Sequence, residues 1–424
     1  MKYELKDLIE SISQKHSFSK DRVIFLNTSD VVDGKILHNT YSSTSELPGQ
    51  AKKTIKEKDI LFSEIRPKNK RFVLVEDLKE PVEDYVVSTK LMVIRVKDSH
   101  VLNQKFLYYY LTEKRIIDYL QNSAESRSGT FPQITFDDIK HLSIELPTID
   151  KQMKIVNTIE SFTKKLETNN QIISNLEQLA QTLFKRWFID FEFPNEDGKP
   201  YRSSGGKMVE SELGLIPEGW EVLILEDISE SPIVCGKTPS TKIKENYGSE
   251  MPFITIPDMH NSTFIQTTEK YLSKKGAESQ PKKTLPPLSI CVSCIATPGL
   301  VSITSEKSQT NQQINSLIPS KVDVFYTYLY LSRKSQLIRE LGSGGSTTLN
   351  LNKTQFSKVP ILYPSQSIRE EFHQQISPLF NEINNLQKQS FKLAQLRDNL
   401  LPKLLSGELE LNEETEVTEN VGVQ

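Results

Sequence analysis

Ile139-Lys140-His141-Leu142-Ser143-Ile144-Glu145-Leu146-Pro147 aligns without a gap on Phe356-Ser357-Lys358-Val359-Pro360-Ile361-Leu362-Tyr363-Pro364, 217 positions further along the chain. At the same displacement Ser128-Gly129-Thr130 lies over Gly345-Ser346-Thr347, and the helix predicted after each proline keeps its register. Working outward, Leu5-Lys6-Asp7-Leu8-Ile9-Glu10-Ser11 matches Leu225-Glu226-Asp227-Ile228-Ser229-Glu230-Ser231. About 150 mixed residues followed by a long amphipathic helix therefore occur twice in 424 residues, displaced by 217 to 230 positions. The unit is far longer than a solenoid repeat, so this is a duplicated domain. Two copies of one module joined by long helices suit a device that reads two places at once.

The first helix carries its apolar seam at Ile155, Ile159, Phe162, Leu166, Asn169, Ile173, Leu176, Ala180, Leu183 and Trp187. The intervals alternate four and three without a slip, which is a coiled-coil heptad rather than a general amphipathic stripe. A helix over residues 150–188 spans roughly 58 Å at 1.5 Å per residue. The same steps in the second copy fall on Phe372, Ile376, Leu379, Ile383, Leu386, Ser390, Leu393, Arg397, Leu400 and Leu404. Eight of those ten are apolar, so each helix offers the other a seam to bury. Pairing contributes on the order of 1.5–3 kcal/mol per leucine-sized side chain. Asn169 weakens that seam but can pin its register.

The segments between the helices read as mixed strand and helix. Val23-Ile24-Phe25-Leu26, Ile60-Leu61-Phe62, Phe72-Val73-Leu74-Val75 and Leu91-Met92-Val93-Ile94 are expected strands, and residues 106–120 have helical spacing. In the second copy Pro252-Phe253-Ile254-Thr255-Ile256 corresponds to the first strand, Leu288-Ser289-Ile290-Cys291-Val292-Ser293-Cys294-Ile295 to Ile60 onward, and residues 326–341 to the helix. Short strands interrupted by polar loops indicate an α+β domain whose loops carry function. Residues 191–215, rich in Gly, Ser, Pro and charge, read as a linker.

Composition is ordinary for a globular protein: 37% hydrophobic and 8% aromatic. No apolar run approaches membrane-spanning length, the start lacks a signal region, and three cysteines make a disulfide framework unexpected, so a reducing cytoplasm is the default. Net charge is −3, but residues 408–424 hold six glutamates and no basic residue, leaving about +3 on the rest. That acidic tail is expected to be disordered. Basic clusters lie at Lys52, Lys53, Lys56 and Lys58, and at Arg66, Lys68, Lys70 and Arg71. Further clusters follow at Lys237, Lys242 and Lys244, and at Lys274, Lys275, Lys282 and Lys283. Such charge permits nucleic-acid binding without demanding it.

Catalytic signatures fail on inspection. Cys291-Val292-Ser293-Cys294 has metal-ligand spacing but no second pair, and it reads as a buried strand. Gly236-Lys237-Thr238 resembles the end of a phosphate loop, but Ser231 stands where the upstream glycine is required. Pro257-Asp258 lacks the further acid and lysine of a metal-dependent nuclease, and the flanks of Pro286-Pro287 are wrong for an amino-methyltransferase. Six scattered histidines suggest no triad. What remains is readout chemistry. Gln309-Thr310-Asn311-Gln312-Gln313-Ile314-Asn315 is dense in amides suited to adenine edges, and Arg66, Lys68, Lys70 and Arg71 can meet phosphates or guanines. Each also fits a plain solvated loop.

Taken in order, several segments resemble the specificity subunits of type I restriction-modification systems. Leu213-Gly214-Leu215-Ile216-Pro217-Glu218-Gly219-Trp220 looks like the entry to that family's second recognition domain, and Gly236-Lys237-Thr238-Pro239-Ser240 like its common loop. Leu146-Pro147 with Gln152 resembles the box that opens the first conserved helix. Leu183-Phe184-Lys185-Arg186-Trp187-Phe188-Ile189-Asp190-Phe191 looks like that helix's close. Leu396-Arg397-Asp398-Asn399-Leu400-Leu401-Pro402-Lys403-Leu404-Leu405-Ser406-Gly407-Glu408-Leu409 looks like the C-terminal signature. The second copy departs from the pattern in having Arg369 where the first has Gln152.

The resemblance implies an α+β fold of two similar target recognition domains. They are separated by two long helices that form an intramolecular antiparallel coiled coil, a pseudo-twofold duplication. Expected boundaries are residues 1–148 and 216–366 for the recognition domains, 149–190 and 367–407 for the helices, 191–215 for the linker and 408–424 for the tail. Each domain would read one half of a bipartite, asymmetric site on double-stranded DNA, with half-site centres about one helical turn, roughly 34 Å, apart. Candidate DNA contacts are Arg66, Lys68, Lys70, Arg71, Arg127, Lys237, Thr238, Asn311, Gln312 and Ser343. By the same resemblance the helices dock two modification subunits that bring S-adenosylmethionine, and restriction subunits add ATP and magnesium. This chain would hold no cofactor or metal and supply address rather than chemistry. The competing expectations are a coiled-coil scaffold that binds protein alone, and a stand-alone DNA enzyme.

Overall fold

A computed structural model describes residues 2–126, 132–342 and 350–411. The chain divides into two units, Met1–Lys164 with Ala394–Gln424, and Lys165–Leu393. Both long helices, Ile149–Phe188 and Gln366–Leu405, contribute a segment to each.

The first unit is closed by an antiparallel pair, Lys2–Glu4 with Ser143–Glu145, Tyr3 opposite Ile144. Between these strands lie two four-stranded sheets. One runs Ile9–Ile12, Leu91–Val96, Ile60–Ser63, Phe72–Leu74, and the other Tyr41–Ser43, Arg22–Leu26, Tyr85–Ser88, Ala51–Thr54. Alternate residues of the first sheet face opposite ways. Ile60, Phe62, Met92 and Ile94 join Phe106, Leu107 and Leu111 of a helix, while Leu61, Val73 and Val93 join Ile24, Leu26 and Val87 of the other sheet. Burial on both faces is why these strands read as unbroken apolar runs.

The helix expected over residues 106–120 is two, Gln104–Thr112 and Lys114–Glu125. Glu113 between them is extended (ψ 140°), and its carboxylate accepts from the Arg115 amide to cap the second helix. The counterpart over residues 326–341 also divides, into Val324–Arg333 and Ser335–Gly342, at Lys334.

The second unit repeats the plan. Glu221–Ile224 pairs with Pro360–Tyr363, Val222 opposite Leu362. Val234–Cys235, Ile314–Leu317, Ile290–Ser293 and Val301–Thr304 stand in the order of the first copy's sheet, extended by Phe264–Ile265. A parallel pair recurs as well: Arg22–Leu26 beside Tyr85–Ser88, and Tyr247–Ile254 beside Gln309–Thr310. Even single hydrogen bonds recur. The Tyr110 hydroxyl donates to the Ser143 carbonyl at 2.8 Å, and the Tyr330 hydroxyl to Pro360, also at 2.8 Å. Residues 191–215 are not the loose linker their composition suggests. Phe191 and Phe193 are buried against Trp220, with ring centroids 5.8 and 4.9 Å away, and Met208–Ser211 forms a hairpin with Gly214–Pro217.

The two long helices pair antiparallel. In the first unit Ile155, Val156 and Ile159, near the start of one helix, share a core with Leu404 and Leu405 at the end of the other. In the second unit Trp187 and Phe188 meet Phe372 at 5.5 and 4.7 Å between centroids. Every heptad position expected for the seam is buried or half-buried. Two of the three polar seam residues meet each other: the Asn169 amide donates to Ser390 Oγ at 3.2 Å, and also to Gln389 Oε1 at 2.8 Å. A single reversed register thus pairs the Asn169 NH2 with polar groups of the other helix, which is how a buried Asn selects an alignment.

Where each helix begins, a buckle ties it to its own globular domain. Gln152 is fully buried and donates to the carbonyls of Val101 and Pro147 while accepting from the Asn103 amide. Arg369 occupies the equivalent position and donates to the carbonyls of Lys321 and Pro364, the same two sites in the second copy. Its guanidinium also lies over the Tyr363 ring at 4.4 Å. The departure at Arg369 therefore changes the side chain and keeps the two carbonyl contacts, though not the acceptor that Gln152 offers to the Asn103 amide. We expect Gln152→Ala to lower the stability of the chain by about 1–3 kcal/mol in chemical denaturation, because three backbone groups are left without partners. Arg369→Gln should cost less than about 1 kcal/mol, since Gln satisfies the same carbonyls in the other copy.

Candidate nucleic-acid interface

In the first unit the cationic candidates sit on one hairpin loop, residues 64–71, between Ile60–Ser63 and Phe72–Leu74. The loop is held by backbone bonds on both sides. The Arg66 amide donates to the Pro132 carbonyl, the Ile134 amide to Glu64, and the Asp33 amide to Lys70. Arg66 and Lys70 bracket a short helical turn, Pro67–Asn69, in left-handed conformations (φ 45° and 52°). Such backbone is uncommon for residues with a Cβ, so the neighbours must impose it. The side chains differ in freedom. Arg71 donates to the Thr28 carbonyl at 2.8 Å, Lys68 pairs with Asp118 at 3.5 Å, and Lys70 with Asp33 at 3.2 Å. Arg66 is exposed, with no ion pair among the described residues. Exposed pairs of this kind are weak and exchange readily for another anion.

In the second unit the fold brings together two stretches 70 residues apart. Residues 236–240 turn against residues 310–313: the Lys237 amide donates to the Thr310 carbonyl, and the Thr238 hydroxyl to Gln312 Oε1 at 2.6 Å. The approach is so close that a Cβ on Gly236 would lie 2.0 Å from the Asn311 carbonyl oxygen. That contact explains the glycine in the loop. The amide-rich segment is mostly committed inward. Gln309 is fully buried and bonds to Ala277, Gln280 and Thr284, and Asn311 closes onto Gln313. Gln312 is the exposed member, and its Nε2 has no partner among the described residues. Around it, Gln280 donates to the Lys237 carbonyl and Lys283 to Cys235, which gathers several of the sequence's lysines onto this side.

The structure thus unites Lys237, Thr238, Asn311 and Gln312, and separately Arg66, Lys68, Lys70 and Arg71. Arg127 and Ser343 lie outside the described residues. Two cations absent from the sequence-derived set belong to the same geometry. Counting on from the strand register, in which Ile12 stands opposite Val93 as Val234 stands opposite Ser316, makes exposed Lys15 the counterpart of Lys237, although Lys15 bridges Lys53 where the Lys237 amide bonds to Thr310. Lys90 lies in the turn that corresponds to residues 311–314 and pairs with Glu64 at 3.5 Å. Extending the repeat alignment past Ser11 with a short gap would have revealed Lys15.

The CxxC spacing leads nowhere chemically. Cys291 lies on the strand Ile290–Ser293 and Cys294 just past its end, an odd number of residues on, so their thiols enter different cores. Burial pushes both thiols up to about 12, so they stay protonated at neutral pH. Among the described residues no cluster of His, Cys, Asp and Glu could hold a metal ion, and no helix is long and apolar enough to cross a membrane.

This architecture has relatives. The chain matches the model of the type I restriction modification DNA specificity domain twice, over residues 1–178 and 217–392. It is 41% identical to the specificity subunit of the type I restriction enzyme HindI of Haemophilus influenzae, covering 96% of this chain and 99% of that one. It is 28% identical to the MjaIX specificity subunit of Methanocaldococcus jannaschii, over 73% of this chain and 70% of that one. Among solved structures, the type I restriction-modification S subunit from M. genitalium shares the fold, with a TM-score of 0.57 at 16% identity and coverage of 97% and 96%. The chain belongs to the specificity subunits of type I restriction-modification systems. Its role is specificity within a multisubunit complex rather than catalysis.

Two outcomes follow from the geometry of the second unit. Native protein treated with iodoacetamide at pH 8 should be modified at Cys235, the half-buried thiol, and take up label at Cys291 and Cys294 only on unfolding, as read by peptide mass spectrometry. Gly236→Ala should cost about 1–3 kcal/mol through overpacking against the Asn311 carbonyl, measured as a lower thermal midpoint.

Proposed function

We propose that each globular domain reads one half of a bipartite, asymmetric site on double-stranded DNA, and that the paired helices dock two modification subunits. Restriction subunits join them in the full complex. The partners bring S-adenosylmethionine for adenine methylation, and ATP and magnesium for cleavage. This chain supplies the address.

The observation that carries the reading is one loop frame displayed twice with different chemistry. Ile65 forms a bridge to Gln133, and Ile295 in the second copy forms the matching bridge to Asn350. Arg66 and Ala296 follow these bridges in the same left-handed conformation. The first loop then carries Arg66, Lys68, Lys70 and Arg71, whereas Ala296-Thr297-Pro298-Gly299-Leu300 in the second is uncharged. A scaffold serving only its own fold has no need to diverge there. A reader of two unlike half-sites does, since phosphate contacts position a domain and the varied side chains choose the bases.

The test is a genome-wide map of methylated adenine in the native host with and without this chain. Loss of one bipartite motif is the expected result, and an unchanged map with all subunits expressed would remove the reading. Exchange of one domain should alter one half of the motif. In the assembled complex, Arg66→Ala with Lys68→Ala should make the dependence of log affinity on log salt shallower, by about one unit of slope for each phosphate that these side chains neutralise. A protein-only scaffold would show no salt-dependent DNA affinity.

A further inference from the structure

The two copies are superposable by hydrogen-bond register, and this identifies which residues occupy equivalent places even where the sequences differ. The turn at residues 88–91 joins two strands of the first domain, and the turn at residues 311–314 joins the matching strands of the second. Two of their hydrogen bonds agree. The Lys90 amide donates to Ser88 Oγ at 3.2 Å, and the Gln313 amide to Asn311 Oδ1 at 3.0 Å. The Lys90 carbonyl accepts from the Glu64 amide, and the Gln313 carbonyl from the Cys294 amide. Leu91 then stands opposite Ser63, as Ile314 stands opposite Ser293. Ser88 therefore corresponds to Asn311, both acting as the side-chain acceptor that shapes the turn. Thr89-Lys90 corresponds to Gln312-Gln313.

Beside the second turn runs the segment that carries Lys237, whereas in the first domain Ala51–Thr54 lies beside the turn and Lys15 bridges Lys53 of that strand; both lysines are exposed. A cation is kept on the same side of each tip, one strand further out in the first domain, and the two-residue tip is changed. This is the pattern expected of a phosphate contact adjacent to a base contact, because the backbone is the same at every site and the bases are not.

We propose that the tip residues Thr89-Lys90 and Gln312-Gln313 are the specificity-determining pairs of the two domains, with Lys15 and Lys237 the sequence-independent phosphate contacts beside them. The proposal rests on the DNA-reading function argued above. Both tips are rigidly seated. In the first, the Lys53 ammonium donates to the carbonyls of Thr89 and Leu91 at 3.1 and 2.8 Å. In the second, the close approach of Gly236 and the Thr238–Gln312 bond set the amide's orientation. A pre-set side chain loses little entropy on meeting a base.

The chemistry of the two tips differs in kind. Gln312 offers an amide with a free NH2 and one remaining lone pair on Oε1, the donor and acceptor pair that matches adenine N7 and N6 in the major groove. Lys90 offers donors only, which suits the O6 and N7 acceptors of guanine. The second domain should therefore require an A·T pair at the position Gln312 meets, and the first a G·C pair at the position of Lys90.

The experiment is the methylated-adenine map of the host expressing, in place of the native chain, the double variants T89A/K90A or Q312A/Q313A. Competition binding by the purified complex against oligonucleotides altered one base pair at a time runs alongside. The expected result is relaxed recognition at one or two base pairs of a single half-site, a different half for each variant, with discrimination there falling about tenfold or more. K15A and K237A should weaken binding to every sequence and leave the motif as it was. An unchanged motif in both double variants, or relaxation of both halves by either one, overturns the assignment. So does discrimination retained in competition binding by a variant that assembles with the modification subunits. If the native chain itself directs no bipartite motif, the DNA-reading function fails instead, and the two failures are told apart by that control.

Discussion

The antiparallel strand pair at the base of each domain is the constraint on which the rest depends. Lys2–Glu4 beside Ser143–Glu145, and Glu221–Ile224 beside Pro360–Tyr363, bring the entry and exit of about 140 residues together. The exit strand leads within a few residues into a 40-residue helix. Because Gln152 and Arg369 then grip carbonyls of the domain they have just left, the helix starts from a fixed point rather than a swivel. A loop tip far along the chain gains a defined position only through that chain of rigid contacts.

The seam of the long helices adds a second discipline. Leucine and isoleucine at successive heptads would tolerate several alignments, since one apolar contact resembles another. Asn169 does not. Sliding the helices by one heptad would set its amide against Ile383 or Arg397, whereas in the observed register it meets Ser390 and Gln389. The cost of a buried unpaired amide, about 1–3 kcal/mol, is enough to choose among otherwise similar packings. Stability comes from the apolar positions and alignment from the polar one.

The divergence between the copies is informative because the frame does not diverge. Gln152 and Arg369 reach the same carbonyls with different chemistry, and Ser88 and Asn311 shape the same turn with a hydroxyl and an amide. Positions that hold the backbone accept any side chain that can make the bond. Positions whose side chains make no internal bond among the described residues, such as Arg66 against Ala296, differ without a structural counterpart. Duplication followed by this kind of sorting leaves function in the residues the fold does not use.

Much of this was legible in the amino-acid order alone. The duplication, the heptad seams, the failure of the catalytic motifs and the doubly buried strands follow from local spacing, which periodicity reports directly. Tertiary structure decided what spacing cannot carry. It broke the helices at Glu113 and Lys334, turned the apparent linker into a core around Trp220, and sent Cys291 and Cys294 into different cores. It also separated the amides of residues 309–315 into those spent inside, Gln309 and Asn311, and the one left facing out, Gln312. A hydrogen bond between residues 74 apart, such as Thr238 to Gln312, has no signature in sequence. It exists only when two unrelated stretches are folded against each other, and that is where the proposed reading surface of this chain is made.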